Sequence, residues 1–262
     1  MTANGRTREL VTRGDVTIEV ITEGDGPLIV LLPSSSRDSE EFDDVAARFA
    51  AAGFRVLRPQ PRGMGRSVGP MQDLDLHALA GDVALAIEAQ KAGPAILVGH
   101  AFGQYVARMT AVDHPDLVRG VVIAAGAAKN ADPELRKSLR AAANTSLPDE
   151  ERLSHLRIAF FAPGHDPSPW LDGWHPHLAE TYMAAAQRPA KEVWWSGGKA
   201  PMLDLQAELD PWRPPETRDQ IRAEFGDRVT VALVPDASHA LFPEQPDKVV
   251  EAILAWVKGL RS

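Results

Sequence analysis

The chain has 262 residues, of which 44% are hydrophobic and 24% are charged, and its formal net charge is −8. These values are typical of one globular domain, and the negative charge argues against a nucleic-acid partner because no excess of Lys and Arg is present to neutralise phosphates. The chain contains no Cys, which excludes disulfides, a thiolate nucleophile and thiolate-bound metals.

No apolar run approaches the roughly 20 residues that a membrane-spanning helix needs. The first residues of the sequence also lack the apolar segment of a secretory signal. We therefore expect a cytoplasmic protein without a membrane partner. The composition leaves the oligomeric state open between a monomer and a homodimer.

The first half of the chain alternates between strand-like and helix-like segments. Residues 16–21 alternate apolar and polar side chains, as a half-exposed edge strand does, whereas residues 28–32 are continuously apolar, as a strand covered on both faces is. This alternation predicts a parallel sheet wrapped by helices. The other segments predicted here are helices at 40–52, 76–89 and 102–112 and strands at 54–57, 95–98 and 118–124.

The middle of the chain interrupts this alternation with helix-like pieces around a loop rich in Pro, Gly, His and Trp. We interpret residues 127–199 as a helical lid inserted into a core that consists of residues 1–126 and 200–262. The predicted helices of the lid are 134–143, 150–161 and 178–187. The alternation resumes with strands at 201–206 and 229–235 and with helices at 216–225 and 247–259.

Residues 98–104 read VGHAFGQ and connect a predicted strand directly to a predicted helix. The pattern G-x-S-x-G places a nucleophilic Ser on such a turn, where the backbone is strained and the glycines let strand and helix pack closely. Gly99 and Gly103 match this pattern, but Ala101 stands at the nucleophile position. The motif alone is a weak indication, so other landmarks have to support it.

Three further segments resemble landmarks of the α/β-hydrolase family. Residues 56–67, VLRPQPRGMGRS, resemble its D-x-x-G-x-G-x-S loop, although Gln60 stands where the family usually has Asp. Residues 205–216, LQAELDPWRPPE, resemble the segment that carries the orienting acid. Residues 234–249, VPDASHALFPEQPDKV, resemble the segment that carries the catalytic His. Along the chain the strand-to-helix turn at Ala101 (the elbow) comes first, the orienting acid second and the catalytic His third. This is the order that the fold requires.

The resemblance covers nearly the whole chain and implies an α/β-hydrolase fold, with a mostly parallel, eight-stranded sheet flanked by helices. It implies that Asp210 is the orienting acid and that His239 is the base, because a hydroxyl nucleophile needs His to take its proton and a buried carboxylate to fix the imidazole tautomer. The oxyanion would be held by the amide of Phe102 and by the loop of Ser34 and Ser35, where most family members have His-Gly.

We expect no cofactor and no metal. The sequence has no phosphate-binding G-x-G-x-x-G after its first strand. His165, His175 and His177 lie near acids, but their spacing fits no zinc pattern, and a polar lid loop is the simpler interpretation.

Large aromatic side chains are concentrated in the predicted lid. Such a lid favours a small-molecule partner, and the family resemblance implies a carboxylic ester or a lactone with a bulky apolar group. Some of these rings must form the core of the lid itself, and the two roles are compatible. The candidate substrate-binding residues are Phe160, Trp170, Trp174, Tyr182, Trp194 and Trp195.

Simpler interpretations stand beside several of these assignments. Asp204 is a rival to Asp210, but it lies inside a predicted strand. His100, which precedes the elbow residue, is interpreted as a packing residue. The hydroxyls of Ser34 and Ser35 could serve only to satisfy the backbone groups of their loop.

Ala101 has three competing explanations. The chain is a serine hydrolase whose nucleophile has been changed to Ala, which the otherwise intact landmarks favour. Alternatively, Ala101 is native, which the departures at Gln60 and in the Ser loop favour; His239 and Asp210 would then activate water or perform acid/base chemistry without a seryl intermediate. The third explanation is a non-catalytic protein that retains the pocket for binding.

Overall fold

The computed structural model describes residues 5–128 and 132–260, which contain one sheet in the order β1-β2-β4-β3-β5-β6-β7-β8. The pairs β1–β2 and β2–β4 are antiparallel, and all other neighbouring pairs are parallel. This is the mostly parallel, eight-stranded sheet that the sequence predicts. The strands are β1 (Thr7–Arg13), β2 (Val16–Glu23), β3 (Leu28–Leu32), β4 (Arg55–Pro59), β5 (Ala95–His100), β6 (Val118–Ala124), β7 (Met202–Ala207) and β8 (Val229–Val234).

Helices cover both faces of the sheet, so each face buries its own hydrophobic core. One core combines α1, α9 and α10 with the sheet, and the other combines α2, α3 and α8 with the opposite face. The helices are α1 (Asp43–Ala51), α2 (Leu76–Gln90), α3 (Gly103–Asp113), α4 (Pro133–Ala143), α5 (Asp149–Ala159), α6 (Ala179–Ala185), α7 (Lys191–Trp194), α8 (Gln220–Phe225), α9 (Leu241–Glu244) and α10 (Pro246–Gly259).

Strand β1 is absent from the elements that the sequence pattern predicts. Most of its residues are exposed, and charged side chains such as Arg8, Glu9 and Arg13 interrupt any apolar alternation. The strand forms because its backbone pairs along its whole length with β2. Its charges also protect this edge of the sheet from pairing with another chain.

The turn between β5 and α3 has a strained backbone. Ala101 has a φ of +47°, in the left-handed region that non-glycine residues rarely adopt. Its amide donates to the carbonyl oxygen of Ala124 at 2.9 Å, which ties the turn to β6. A Cβ atom at Gly103 would lie 2.2 Å from the carbonyl oxygen of Leu32, so glycine lets α3 begin directly against the end of β3.

The chain between β6 and β7 forms a helical insertion that contains α4 to α7. Part of it packs on the loops after β7 and β8 through the cluster that includes Phe160, Trp212 and Ala240. The predicted lid includes residues 129–131, and the predicted core includes residues 1–4 and 261–262; these lie outside the described residues. Among the residues described, no helix combines the length and apolar character needed to cross a membrane.

The contact at Gly103 predicts a large difference between two Gly→Ala substitutions within helices. Gly103→Ala should lower the free energy of unfolding by about 1–3 kcal/mol because its Cβ would collide with backbone atoms. Gly81→Ala, in α2, should raise it by about 0.5–1 kcal/mol because its Cβ meets nothing within 4 Å and Ala favours helix. Urea denaturation measures both changes, and equal effects would contradict the packing argument.

Candidate active site

The predicted site residues all follow strands of the parallel part of the sheet. Ala101 follows β5, Asp210 lies just beyond β7, and His239 lies beyond β8; the loop of Ser34 and Ser35 follows β3. The carboxyl ends of parallel strands meet at one edge of a sheet, where such folds form their ligand sites. The chain order therefore translates into one site at this edge.

Asp210 and His239 form a buried hydrogen-bonded pair. The His239 Nδ1 atom lies 3.0 Å and 3.2 Å from the two carboxylate oxygens of Asp210. The Oδ1 atom of Asp210 also accepts a hydrogen bond from the Trp212 amide at 2.9 Å, which fixes the carboxylate. Because Asp210 holds the Nδ1 proton, Nε2 is the nitrogen left to accept a proton from a bound molecule.

Hydrogen bonds with His100 and Glu244 fix the loop of His239. His100 Nε2 donates to the carbonyl oxygen of His239 at 2.8 Å, and the two imidazole centroids are 5.5 Å apart. Glu244 accepts hydrogen bonds from the amides of Ser238 at 2.6 Å and Ala162 at 2.5 Å. Burial raises the pKa of the Glu244 carboxyl, although the hydrogen bonds from these two amides act to lower this pKa. His100 thus positions the histidine loop in addition to packing in the core.

The amide groups of the predicted oxyanion site differ in their availability. The Ser34 amide donates to Glu41 Oε1 at 3.3 Å and is therefore already paired, while an oxyanion role of the Ser34 side chain stays a prediction. Across the described ranges, the amides of Ser35 and Phe102 have no hydrogen-bond partner. Both amides are therefore unpaired backbone donors that follow strands at this edge of the sheet.

Arg37 and Glu41, which the sequence analysis did not select, form a buried ion pair beside this loop. The Arg37 Nε atom donates to Glu41 Oε2 at 2.8 Å, and the two side chains are only 4% and 3% exposed. Arg37 also reaches the insertion, because its guanidinium donates to the carbonyl oxygen of Asp172 at 2.7 Å and lies 4.4 Å from the ring centroid of Trp170.

Glu41 connects this ion pair to the histidine side of the site. Its Oε1 atom is 3.5 Å from His100 Nδ1. Burial alone would raise the pKa of the Glu41 carboxyl, but interactions with His100 and Arg37 outweigh it and lower this pKa below its ordinary value. A charged Glu41 therefore holds the loop of Ser34 and Ser35 through the Ser34 amide and contacts the side chain that fixes the loop of His239.

The aromatic residues predicted to bind substrate are divided between three places. Phe160 lies against His239, with ring centroids 5.7 Å apart, and Trp170 packs on both Phe160 and His100. Trp174 packs on this group, and its ring faces Arg37. Trp212, which the sequence analysis did not select, covers His239 with a centroid distance of 5.4 Å.

Tyr182 lies on the other side of the elbow, 5.7 Å from the ring of Phe102, and its hydroxyl donates to the carbonyl oxygen of Arg62. Trp194 stacks on Tyr105. The ring of Trp195 packs on Arg108 and lines a separate cavity between α7 and α8, and its role in substrate binding stays a prediction. Composition could not separate these rings, because all of them belong to the same insertion.

A small cavity lies beside Phe102. Its volume is about 50 Å³, and its lining is mostly apolar. The residues that line it include Ser34, Ser36, Gln60, Asp82 and Tyr182. An engineered cavity of about 150 Å³ holds one benzene molecule, so the cavity beside Phe102 has room only for a smaller group in this arrangement of the insertion.

The rival acid and the histidines of the insertion lie outside this arrangement. Asp204 pairs with Arg213 at 3.1 Å within the core, and its burial raises its pKa. His175 pairs with Asp38, and His165 lies 3.5 Å from Asp236. In residues 5–128 and 132–260, no group of three or more His, Cys, Asp or Glu side chains could hold a metal ion.

Comparisons with known proteins agree with this fold. A model of the alpha/beta hydrolase family matches residues 29–252. The chain is 33% identical over 109 residues to a 2-(acetamidomethylene)succinate hydrolase of Mesorhizobium japonicum, and 30% identical over 116 residues to an epoxide hydrolase of Caballeronia sordidicola. These alignments cover 42% and 43% of this chain but only 39% and 35% of the two relatives.

Two solved structures are similar over almost the whole chain. An esterase of Thermogutta terrifontis is 23% identical with a TM-score of 0.77, and the match covers 98% of this chain and 99% of that one. An esterase of Exiguobacterium antarcticum is 18% identical with a TM-score of 0.79, covering 96% of this chain and 100% of that one. At these identities the likeness shows the fold alone.

The buried charge of Glu41 predicts a pH-dependent stability difference. Glu41→Gln should lower the free energy of unfolding at pH 7 by about 3 kcal/mol, because Arg37 would lose its buried partner. Since the folded-state pKa of Glu41 is lowered, this contribution is complete above the unfolded value of about 4.3 and disappears as pH falls through the folded value. Denaturation of both proteins between pH 7 and pH 3 should show the two free energies converging.

The neighbouring Glu40→Gln is the matched control. Glu40 forms an exposed ion pair with Arg8, so its removal should change stability by less than about 1 kcal/mol. A Glu41→Gln difference that is as small as this, or that is independent of pH, would show that the buried pair does not hold the loop.

Proposed function

Because the chain belongs to the α/β-hydrolase family, we propose that its site binds the carbonyl group of a carboxylic ester or lactone, in a serine-hydrolase arrangement whose nucleophile position is Ala101. The observation that carries this proposal is the buried Asp210–His239 pair at the same sheet edge as a strained elbow. Similarity to proteins named esterases and hydrolases supports the reaction class.

Each remaining part has a defined role in acyl transfer. Asp210 keeps the Nδ1 proton on His239, so Nε2 accepts a proton during attack and returns it to the leaving alcohol. The amides of Ser35 and Phe102 would hold the oxyanion as the carbonyl carbon becomes tetrahedral. Without the seryl hydroxyl no acyl-enzyme forms, and loss of a triad nucleophile costs about 10⁶ in kcat in a serine hydrolase.

The surroundings suggest how an ester would be oriented. The cavity beside Phe102 adjoins the oxyanion loop, and its volume of about 50 Å³ suits a short acyl group. The alcohol side must lie near His239, which protonates the leaving oxygen, and this histidine is surrounded by Phe160 and Trp212. We therefore propose that the bulky apolar part of the substrate is the alcohol group and that the insertion acts as its lid.

A second candidate is direct activation of water by His239. Its support is that Gln60 lines the cavity beside Phe102 where the family usually has Asp, and that Ser34 and Ser36 line it as well. These departures suit a site that evolved with Ala101 as its native residue. Hydrolysis would then depend on His239 and Asp210 in the unaltered protein.

The substitution Ala101→Ser tests the leading proposal with benzyl acetate, which has a short acyl group and an apolar alcohol. Hydrolysis should rise by at least about 10³-fold over the parent, because the added hydroxyl completes a unit whose members act together. A fluorophosphonate should label Ser at position 101 in the variant, with mass spectrometry as the readout.

Adding His239→Ala to Ala101→Ser should abolish both the hydrolysis and the labelling, because the base is then missing. Hydrolysis by the parent that requires His239, with no labelling of Ala101→Ser, would replace the leading proposal with water activation. Absence of hydrolysis by both proteins toward esters and lactones of either size would favour the non-catalytic binding protein.

A further inference from the structure

We propose that, with Ala at position 101, this site removes a proton from the carbon next to the carbonyl group of its ligand and stabilises the resulting enolate. The inference takes the carbonyl placement from the proposed function but needs neither a seryl nucleophile nor an ester. The substrate would be a carbon acid, which is a carbonyl compound that loses a proton from the carbon next to the carbonyl group.

The base for this reaction is complete. Asp210 engages His239 Nδ1 at 3.0 Å, which leaves Nε2 as the proton acceptor. In a serine hydrolase this nitrogen takes its proton from the seryl hydroxyl. Ala101 has no proton to give, so the acidic proton nearest to Nε2 must come from water or from the ligand itself.

Two unpaired amides are also available to stabilise an enolate. Deprotonation next to a carbonyl moves negative charge onto the carbonyl oxygen, which is the same charge that an oxyanion site holds during ester hydrolysis. The amides of Ser35 and Phe102 have no partner among the described residues. The contact of Gly103 with Leu32 brings the backbone that carries these amides together.

The strained elbow persists although no nucleophile stands on it. A left-handed Ala costs roughly 1–2 kcal/mol relative to an ordinary conformation. Ala101 nevertheless has a φ of +47°, held by its hydrogen bond to Ala124 and by the close start of α3. This geometry sets the direction of the next amide, that of Phe102, which is a function independent of a seryl hydroxyl.

The chemical step is balanced without a co-reactant. The C–H bond next to the carbonyl breaks, and its proton moves to His239 Nε2. The electron pair of that bond forms a carbon–carbon double bond, while the carbonyl π pair moves to oxygen and is held by the two amides. Return of a proton from His239 to carbon restores the ketone or ester. If the next carbon carries a leaving group, that group departs with its bonding electron pair and takes the proton from His239, and the product is an unsaturated carbonyl compound.

The carbon atom that loses its proton is predicted from the orientation proposed for the ester. In a hydrolase, His donates its proton to the bridging oxygen of the ester. In 4-phenyl-2-butanone, which is benzyl acetate with that oxygen replaced by CH₂, the atom at the same place is the C3 methylene carbon. We therefore expect proton removal at C3 and not at the C1 methyl group, which would occupy the small cavity beside Phe102.

The test is deuterium exchange of 4-phenyl-2-butanone in D₂O, followed by NMR at C3 and at C1 with the unaltered protein. General-base catalysis typically contributes 10²–10⁴-fold, so exchange at C3 should be at least about 100-fold faster than without protein, with little acceleration at C1. His239→Gln should return the rate at C3 to the background, and Asp210→Asn should remove most of the acceleration.

The surface pair His77–Asp113 provides the matched control, because it places a His Nδ1 atom 2.7 Å from an Asp carboxylate without an oxyanion site. His77→Gln should leave the exchange unchanged. Acceleration that survives His239→Gln, acceleration lost equally in His77→Gln, or equal acceleration at C1 and C3 would overturn the inference, as would no acceleration at all.

Binding of a preformed enolate provides an independent measurement. Acetylacetone is a carbon acid that ionises in mildly alkaline water, and its enolate absorbs in the ultraviolet. The protein should increase the enolate fraction at fixed pH in the parent and in His239→Gln alike, because the amides belong to the backbone. An unchanged enolate fraction in the parent would also overturn the inference.

Different outcomes of these experiments would rule out the ester proposal and the enolate proposal. If Ala101→Ser hydrolyses benzyl acetate but the parent gives no exchange at C3, the site is a hydrolase arrangement without carbon-acid activity. If the parent exchanges C3 while Ala101→Ser is neither hydrolytic nor labelled, the enolate reaction stands and the ester proposal is wrong.

Discussion

The contact between the first turn of α3 and the end of β3 is the constraint on which the rest of the site depends. It requires Gly103, because a side chain there would overlap the backbone of Leu32. Two residues before Gly103, Ala101 adopts the left-handed region, and this turn determines where the Phe102 amide points. The same turn places His100 beneath the loop of His239. This backbone contact thus links the turn, the Phe102 amide and one support of the loop of His239.

Buried ionisable side chains then connect the turn at Ala101 to the insertion. Glu41 holds the Ser34 amide and Arg37, and Arg37 reaches the backbone of the insertion at Asp172. On the opposite side, Glu244 accepts hydrogen bonds from the Ser238 amide, just before His239, and from the Ala162 amide, just after α5. Removing such charges from water is costly, and a buried pair stabilises the fold only where its remaining hydrogen bonds are also satisfied. The arrangement therefore favours one specific placement of the insertion over the site rather than a loose cover.

The sequence predicts the parts of the site that depend on chain order and not those that depend on distant packing. Asp210 and His239 follow buried parallel strands, so their meeting at one sheet edge follows from the alternation of elements. Arg37 and Glu41 read as an ordinary i,i+4 surface pair, because their burial arises from contact with residues about 135 positions later in the chain. Trp195 could not be separated from Trp170, since both are aromatic residues of one insertion and only the packing partners differ.

The aromatic rings around His239 affect the chemistry that this site can perform with Ala at position 101. Rings of Phe160, Trp212 and His100 lie within 5.4–5.7 Å of the imidazole, so the base is largely removed from water. In such surroundings a fixed amide stabilises a developing negative charge more strongly than it would in bulk water. The same exclusion of water lowers the supply of solvent molecules that compete for Nε2. An oriented imidazole and unpaired amides in these surroundings are what the proposed removal of a proton from a bound carbonyl compound requires.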